Sequence, residues 1–294
     1  MPSEKSSQPS WLRLAPGLFV FLWSTGFIGA KFGLPYAEPF TFLSLRFALT
    51  VVLLMITAVI LRLPRPAPRE ALHGMTTGVL VHGIYLGTVF WTISRGMPAG
   101  ISALIVGLQP LITSLLARFI GERLTWRNWA GLALGLLGVA MVIWPKLNIG
   151  DQGVSLEGLG MLFIGILSIS IGSIYQKRFT GQSSLVTGTA CQFAGALVIS
   201  MVCAILFERF AINPTAEFVF ALGWMVVVLS IGAISLFTLL LRYGNVSKVA
   251  GLFYLVPAST AILAYLLFGE TLNLLQIAGM VVCMAGVALV SQRR

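Results

Sequence analysis

No aspartate or glutamate lies in the middle of any apolar run of this chain, and only nine of its 294 residues are acidic. Several chemistries fall with that absence. A carboxylate relay for proton coupling has no members, paired intramembrane aspartates are missing, and so is the buried acid that an exporter of lipophilic cations needs. Histidine is as scarce: His73 and His82 are the full complement, on poorly matched helix faces, and no HExxH motif occurs. Cys191, Cys203 and Cys283 lie in apolar stretches without CxxC spacing, so they read as small buried hydrophobes. Neither a cofactor nor a metal is expected, and an intramembrane protease finds no catalytic set.

Charge of either sign is rare. Charged residues make up 10% of the chain, against about 25% in soluble domains. Hydrophobic residues make up 57%, so the chain cannot cover a water-facing surface and its solvent must be largely lipid. The net charge of +10 does not indicate nucleic acid, because the basic residues sit singly or in pairs between apolar runs.

Ten runs are long enough to span a bilayer: approximately 14–34, 40–62, 71–94, 98–119, 127–145, 157–178, 185–207, 217–241, 248–268 and 273–291. The connections are short, and no extramembrane domain fits. Residues 1–13 are expected to be a disordered cytoplasmic segment. With that end inside, fourteen Lys and Arg fall on inner segments and four (Lys31, Arg95, Lys146, Arg209) on outer ones. Both termini are therefore expected in the cytoplasm, with the chain in the cell inner membrane.

The two halves resemble each other. Gly96, Gly121, Gly131 and Gly138 recur as Gly244, Gly269, Gly279 and Gly286, each 148 residues on. Pro110 and Pro257 are 147 apart, and Lys31 and Lys177 are 146 apart. Gly121 and Gly269 suit the left-handed residue after a helix, Thr125 and Asn273 suit N-caps, and Asn273 with Gln276 forms a capping-box pattern. A unit of five spans must re-enter from the opposite face when repeated. The expected fold is an all-α membrane protein of ten transmembrane helices in two inverted five-helix repeats, 14–145 and 157–294, joined by a linker at 146–156. Inverted halves suit alternating access, which a receptor, scaffold or enzyme does not need.

Trp23 with Gly26 and Lys31 in span 1, Arg46 in span 2, and the pairs Gly121–Glu122 and Gly269–Glu270 carry a family resemblance. The chain resembles the drug/metabolite transporter superfamily and, within it, the EamA-type ten-span exporters. The resemblance covers nearly the whole chain. It implies ten helices around a central cavity and export of small metabolites, amino acids (aromatic and other neutral types) in particular. Other metabolites or drugs are the rival substrates, and a non-transporting scaffold is the rival class.

Transporter sites tend to lie near the midplane, at interrupted helices in matching places of the two halves. Here the interruptions are Pro110 and Pro257, which deprive the carbonyls of Val106 and Phe253 of their helical donors. Either is a gating break or a plain kink. His82 sits mid-span with Tyr85 one turn on, and is the only midplane group that titrates near neutral pH. Gln109 either binds substrate or joins helices. Trp23 and Ser24 lie midway along span 1, Ser230 is the counterpart of His82 at 148 residues' distance, and Tyr254 lies one turn before Pro257. Each of these lines a cavity or packs a core. Arg46, two turns into span 2, reads first as a snorkelling anchor and second as a gate or carboxylate holder. Lys31, Lys177, Glu122 and Glu270 read as structural. Gly131, Gly135 and Gly138 form a small-residue face for packing within a monomer or for a weak homodimer. Facilitated flux needs less machinery than coupling through His82, and is the expected mode.

Overall fold

A computed structural model describes residues 14–117, 125–147, 154–180, 184–236, 240, 252 and 255–291. The N-terminal segment, the Gly121–Glu122 hairpin tip, Phe253 and Tyr254 lie outside the described residues. Proline and apolar composition decide where the helices begin. The helices are α1 (Ala15–Gly33), α2 (Pro39–Ile60) and α3 (Pro68–Ser94), then α4 in two pieces (Ala99–Val106 and Gln109–Ala117). They continue as α5 (Trp126–Leu147), α6 (Leu156–Phe179), α7 (Leu185–Phe207), α8 (Ala216–Leu236), α9 (Val256–Phe268) and α10 (Leu274–Ser291). Pro39, Pro68 and Pro257 stand in the first turn, where a missing N–H costs nothing. Gly269 ends α9 in the left-handed conformation (φ 65°). Asn273 and Gln276 cap α10 reciprocally, at 3.0 and 2.9 Å. A single antiparallel bridge, Ala37 to Ile212, is the β structure among the described residues.

Six helices (α1, α2, α3, α6, α7, α8) are long and apolar enough to cross a membrane, and shorter apolar helices accompany them. Their outward faces are apolar: Val52, Ile56, Val59 and Ile60 on α2, and Leu206 and Phe207 on α7, are exposed. Such surface suits hydrocarbon and not water.

The helices pack in pairs that repeat. α1 packs on α9 as α6 packs on α4. α3 packs on α6 as α8 packs on α1, and α3 packs on α7 as α8 packs on α2. The most extensive pairings, α5 with α10 and α2 with α7, each join an element to its counterpart 148 or so residues away. At the α5–α10 seam the glycines allow backbone contact. A Cβ on Gly138 would lie 2.5 Å from the Gly279 carbonyl oxygen, and one on Gly286 would lie 2.7 Å from that of Gly131. The lower glycine of one helix meets the upper glycine of the other, so the two run antiparallel. The small-residue face of α5 is thus covered within the chain, and Gln276 Nε2 donates to the Val142 carbonyl beside it.

Two departures from regular α geometry were not legible in the sequence. Val79–Ile84 inside α3 and Trp224–Ala233 inside α8 are π-helical. His82 lies in the first and Ser230 in the second, so the wide turns fall at matching positions of the two halves. A π turn leaves backbone groups off the normal ladder. Side chains take them up: Ser168 donates to the Leu80 carbonyl at 2.8 Å, and Ser230 donates to the Met225 carbonyl at 3.0 Å.

Candidate functional site

Two clusters take in most of the expected residues. The first gathers four helices around Arg46. This side chain does not turn out to the headgroups: it is buried (5% exposed), its Nε donates to Ser230 Oγ at 3.1 Å, and its guanidinium lies 5.8 Å from the Phe47 ring centre. Ser230 draws it inward, a partner that hydropathy could not foresee. His82 and Tyr85, both buried, are within electrostatic reach of the guanidinium. The His82 imidazole stacks on Phe193 (4.6 Å, 15°), with Gln192 at the preceding position of α7. The site therefore joins α2 and α3 of the first half to α7 and α8 of the second.

The second cluster surrounds the two breaks. α4 stops at Val106 and resumes at Gln109, and the interrupted stretch uses short local bonds, Leu108 N–H to the Ile105 carbonyl at 3.0 Å among them. Pro110 then denies the Val106 carbonyl its helical donor. A Cβ on Gly107 would lie 3.0 Å from Pro257 Cγ, so the breaks of α4 and α9 touch. Ser24, fully buried on α1, donates to the Val20 carbonyl at 2.7 Å and also reaches the Val256 carbonyl at 3.4 Å. A narrow cleft lined by Leu104, Gly107, Leu108, Pro257 and Cys283 runs alongside, with about 10 Å³ of free room, a water at most.

Gln109 is partly buried and contributes its carbonyl, which accepts from Ser170 at 3.5 Å. Trp23 is partly buried and packs on Phe19 at 5.4 Å. Sequence reasoning missed Gln192 and Phe193. An amide two turns into span 7 was the available signal for the first; no signal pointed to the second. It also missed the pairing of Lys31 with Glu270. The two form an ion pair, Lys31 lies 4.5 Å over the Phe268 ring, and the same Glu270 oxygen accepts from the Ala99 N–H at 3.3 Å. One clasp thus joins α1, α4 and α9 at a single end of the bundle. A second clasp at that end is reciprocal. Glu38 accepts from the N–H groups of Arg209 and Ala211, while Glu208 accepts from those of Phe40 and Thr41.

Ten apolar runs, two clusters drawn from both halves and a repeated packing scheme describe a membrane carrier. The EamA-like transporter family model matches the chain twice, over residues 16–144 and 156–292. The chain belongs to the EamA-like transporter family. As an EamA protein it has bacterial relatives. The "uncharacterized inner membrane transporter YedA" of Escherichia coli (strain K12) is 26% identical over 270 residues, 92% of this chain and 87% of the relative. A "probable amino-acid metabolite efflux pump" of Salmonella typhimurium (strain LT2) is 29% identical over 282 residues, 92% of this chain and 91% of the relative. A solved crystal structure aligns over 96% of both chains with a TM-score of 0.63 at 21% identity, a likeness of fold. The chain is a membrane transporter with EamA relatives in inner membranes.

Proposed function

We propose that this EamA protein exports small amino-acid-like metabolites, aromatic and other neutral amino acids first among them, by alternating access. Ten spans form two inverted five-helix halves, residues 14–145 and 157–294, with both termini in the cytoplasm. The observation that carries the reading is the antiparallel glycine seam: Gly131 faces Gly286 while Gly138 faces Gly279. A reciprocal contact between counterpart helices is what a two-fold axis produces, and antiparallel helices put that axis in the membrane plane. The efflux pump among the relatives supports the substrate class.

Trp23, Ser24, His82, Tyr85, Gln109, Ser230 and Tyr254 line the substrate path, with Pro110 and Pro257 as its hinges. Carbonyls freed at the breaks receive the ammonium group. The clasps at Lys31–Glu270 and Glu38/Glu208 close the outer end. Transport is facilitative, because the midplane offers no carboxylate to carry protons and only His82 to titrate. Exchange in liposomes holding the purified protein tests this, with labelled amino acids, sugars and a lipophilic cation, with and without a pH gradient. Saturable amino-acid flux that ignores the gradient is expected. Movement of a sugar or the cation with no amino acid moving would overturn the substrate class.

A further inference from the structure

Arg46 is a largely buried cation with no carboxylate paired to it among the described residues. Its side chain is 5% exposed and lies beside two other buried polar groups, Ser230 (1%) and His82 (9%). Its one hydrogen bond among the described residues uses Nε, and the acceptor is a neutral hydroxyl. The ion pair among the described residues, Lys31–Glu270, is elsewhere, and no acidic residue occurs in the middle of any of the spans. Taking a guanidinium out of water costs several kcal/mol unless an anion accompanies it. The two terminal nitrogens of Arg46, the fork that matches a carboxylate with two parallel bonds, hold no hydrogen bond among the described residues.

The neighbours are set to leave that fork available. The Ser230 proton is committed to the Met225 carbonyl, so its lone pairs face Arg46 and fix Nε. The His82 imidazole is engaged in its stack on Phe193 and makes no hydrogen bond to Arg46 among the described residues. The two π turns bring Ser230 and His82 to Arg46 from opposite halves. An anion seated there would touch groups on α2, α3 and α8, and would feel any displacement of one half against the other.

We infer that Arg46 is the carboxylate subsite of the transport path, gripping the substrate's carboxylate through its terminal nitrogens while Ser230 positions the guanidinium. The assignment rests on the amino-acid reading above and adds what the sites at the breaks lack, a partner for the negative end. Substrates lacking a carboxylate would be poor ones, however similar their side chains.

The full-length protein in liposomes tests this by competition. Labelled phenylalanine is exchanged against unlabelled phenylalanine, phenylalaninamide or phenethylamine, in the native protein and in Arg46→Gln, Arg46→Lys and Ser230→Ala. The native protein is expected to prefer the acid by tenfold or more, about one well-made charged contact. Arg46→Gln should remove that preference, Arg46→Lys should keep part of it, and Ser230→Ala should weaken it a few-fold. An Arg46→Gln protein that inserts normally and still prefers the acid overturns the subsite. Melting of the detergent-purified protein with benzoate, benzamide or chloride gives a readout independent of transport. Stabilisation by benzoate alone, lost in Arg46→Gln but not in a Gly17→Ala control, supports the subsite even if no amino acid is transported. Equal stabilisation by chloride, or none by benzoate, overturns it.

Discussion

At the scale of single residues, the site is built from polar groups that hydropathy can find but cannot pair. His82, Ser230 and Arg46 stand out in the sequence because each is polar inside an apolar run. Their mutual geometry depends on two wide turns in helices with no distinguishing pattern, so Arg46 reads as an anchor until its partner is seen. Gln192 was equally visible and was overlooked. His82→Ala removes the stack on Phe193. Transport should fall on the order of tenfold, the worth of about 1.4 kcal/mol, with normal insertion. His82→Gln, which keeps a hydrogen-bonding group, should fall less. Initial rates of exchange in liposomes, matched for inserted protein, check both. An unchanged rate for His82→Ala would remove the imidazole from the path.

At the scale of elements, helix boundaries were the most legible feature, since composition alone sets them. The runs at 157–178 and 185–207 correspond to α6 (Leu156–Phe179) and α7 (Leu185–Phe207). The capping box at Asn273 was equally readable because its chemistry is local. The π turns were not, because a continuous apolar stretch carries no mark of its pitch. The glycine seam makes a graded prediction. A Cβ on Gly279 would lie 2.7 Å from the Gly138 carbonyl oxygen, whereas a Cβ on Gly17 would meet nothing within 4 Å. Gly279→Val should destabilise the protein by roughly 1–3 kcal/mol as overpacking forces the backbones apart. Gly17→Val should have a far smaller effect, and thermal melting in detergent separates the two. At the breaks, Pro257→Ala returns a donor to the start of α9. If the break is a hinge, that change should slow exchange several-fold without lowering the melting temperature.

For the whole molecule, the proposed alternating access requires the contacts at the Lys31 end of the bundle to part. The end bearing Lys31 carries an ion pair and two reciprocal carboxylate caps that bridge the halves. Each cap binds one carboxylate to two backbone N–H groups at once, but the ion pair is partly exposed and can part. Glu270→Gln should open this end. A cysteine placed at Ser24, in a protein freed of Cys191, Cys203 and Cys283, should then react several-fold faster with a membrane-impermeant maleimide applied from the Lys31 side. An unchanged labelling rate would mean that the pair is structural, as its sequence reading had it. That reading treated Lys31 and Glu270 separately because 239 residues part them; only the fold makes them one device.

The seam between α5 and α10 has a consequence for how such a chain can be assembled. Each helix offers the other the same surface, Gly131 and Gly138 answering Gly286 and Gly279. A surface complementary to its own copy needs no covalent tether, only the chance to meet a neighbour threaded the other way. If the chain is cut between Leu147 and Leu156, the two fragments made together should find each other in the bilayer and restore flux, while either alone should not. The connecting peptide then supplies local concentration and fixed stoichiometry, and a single gene would stand in for two oppositely oriented copies of one shorter ancestor.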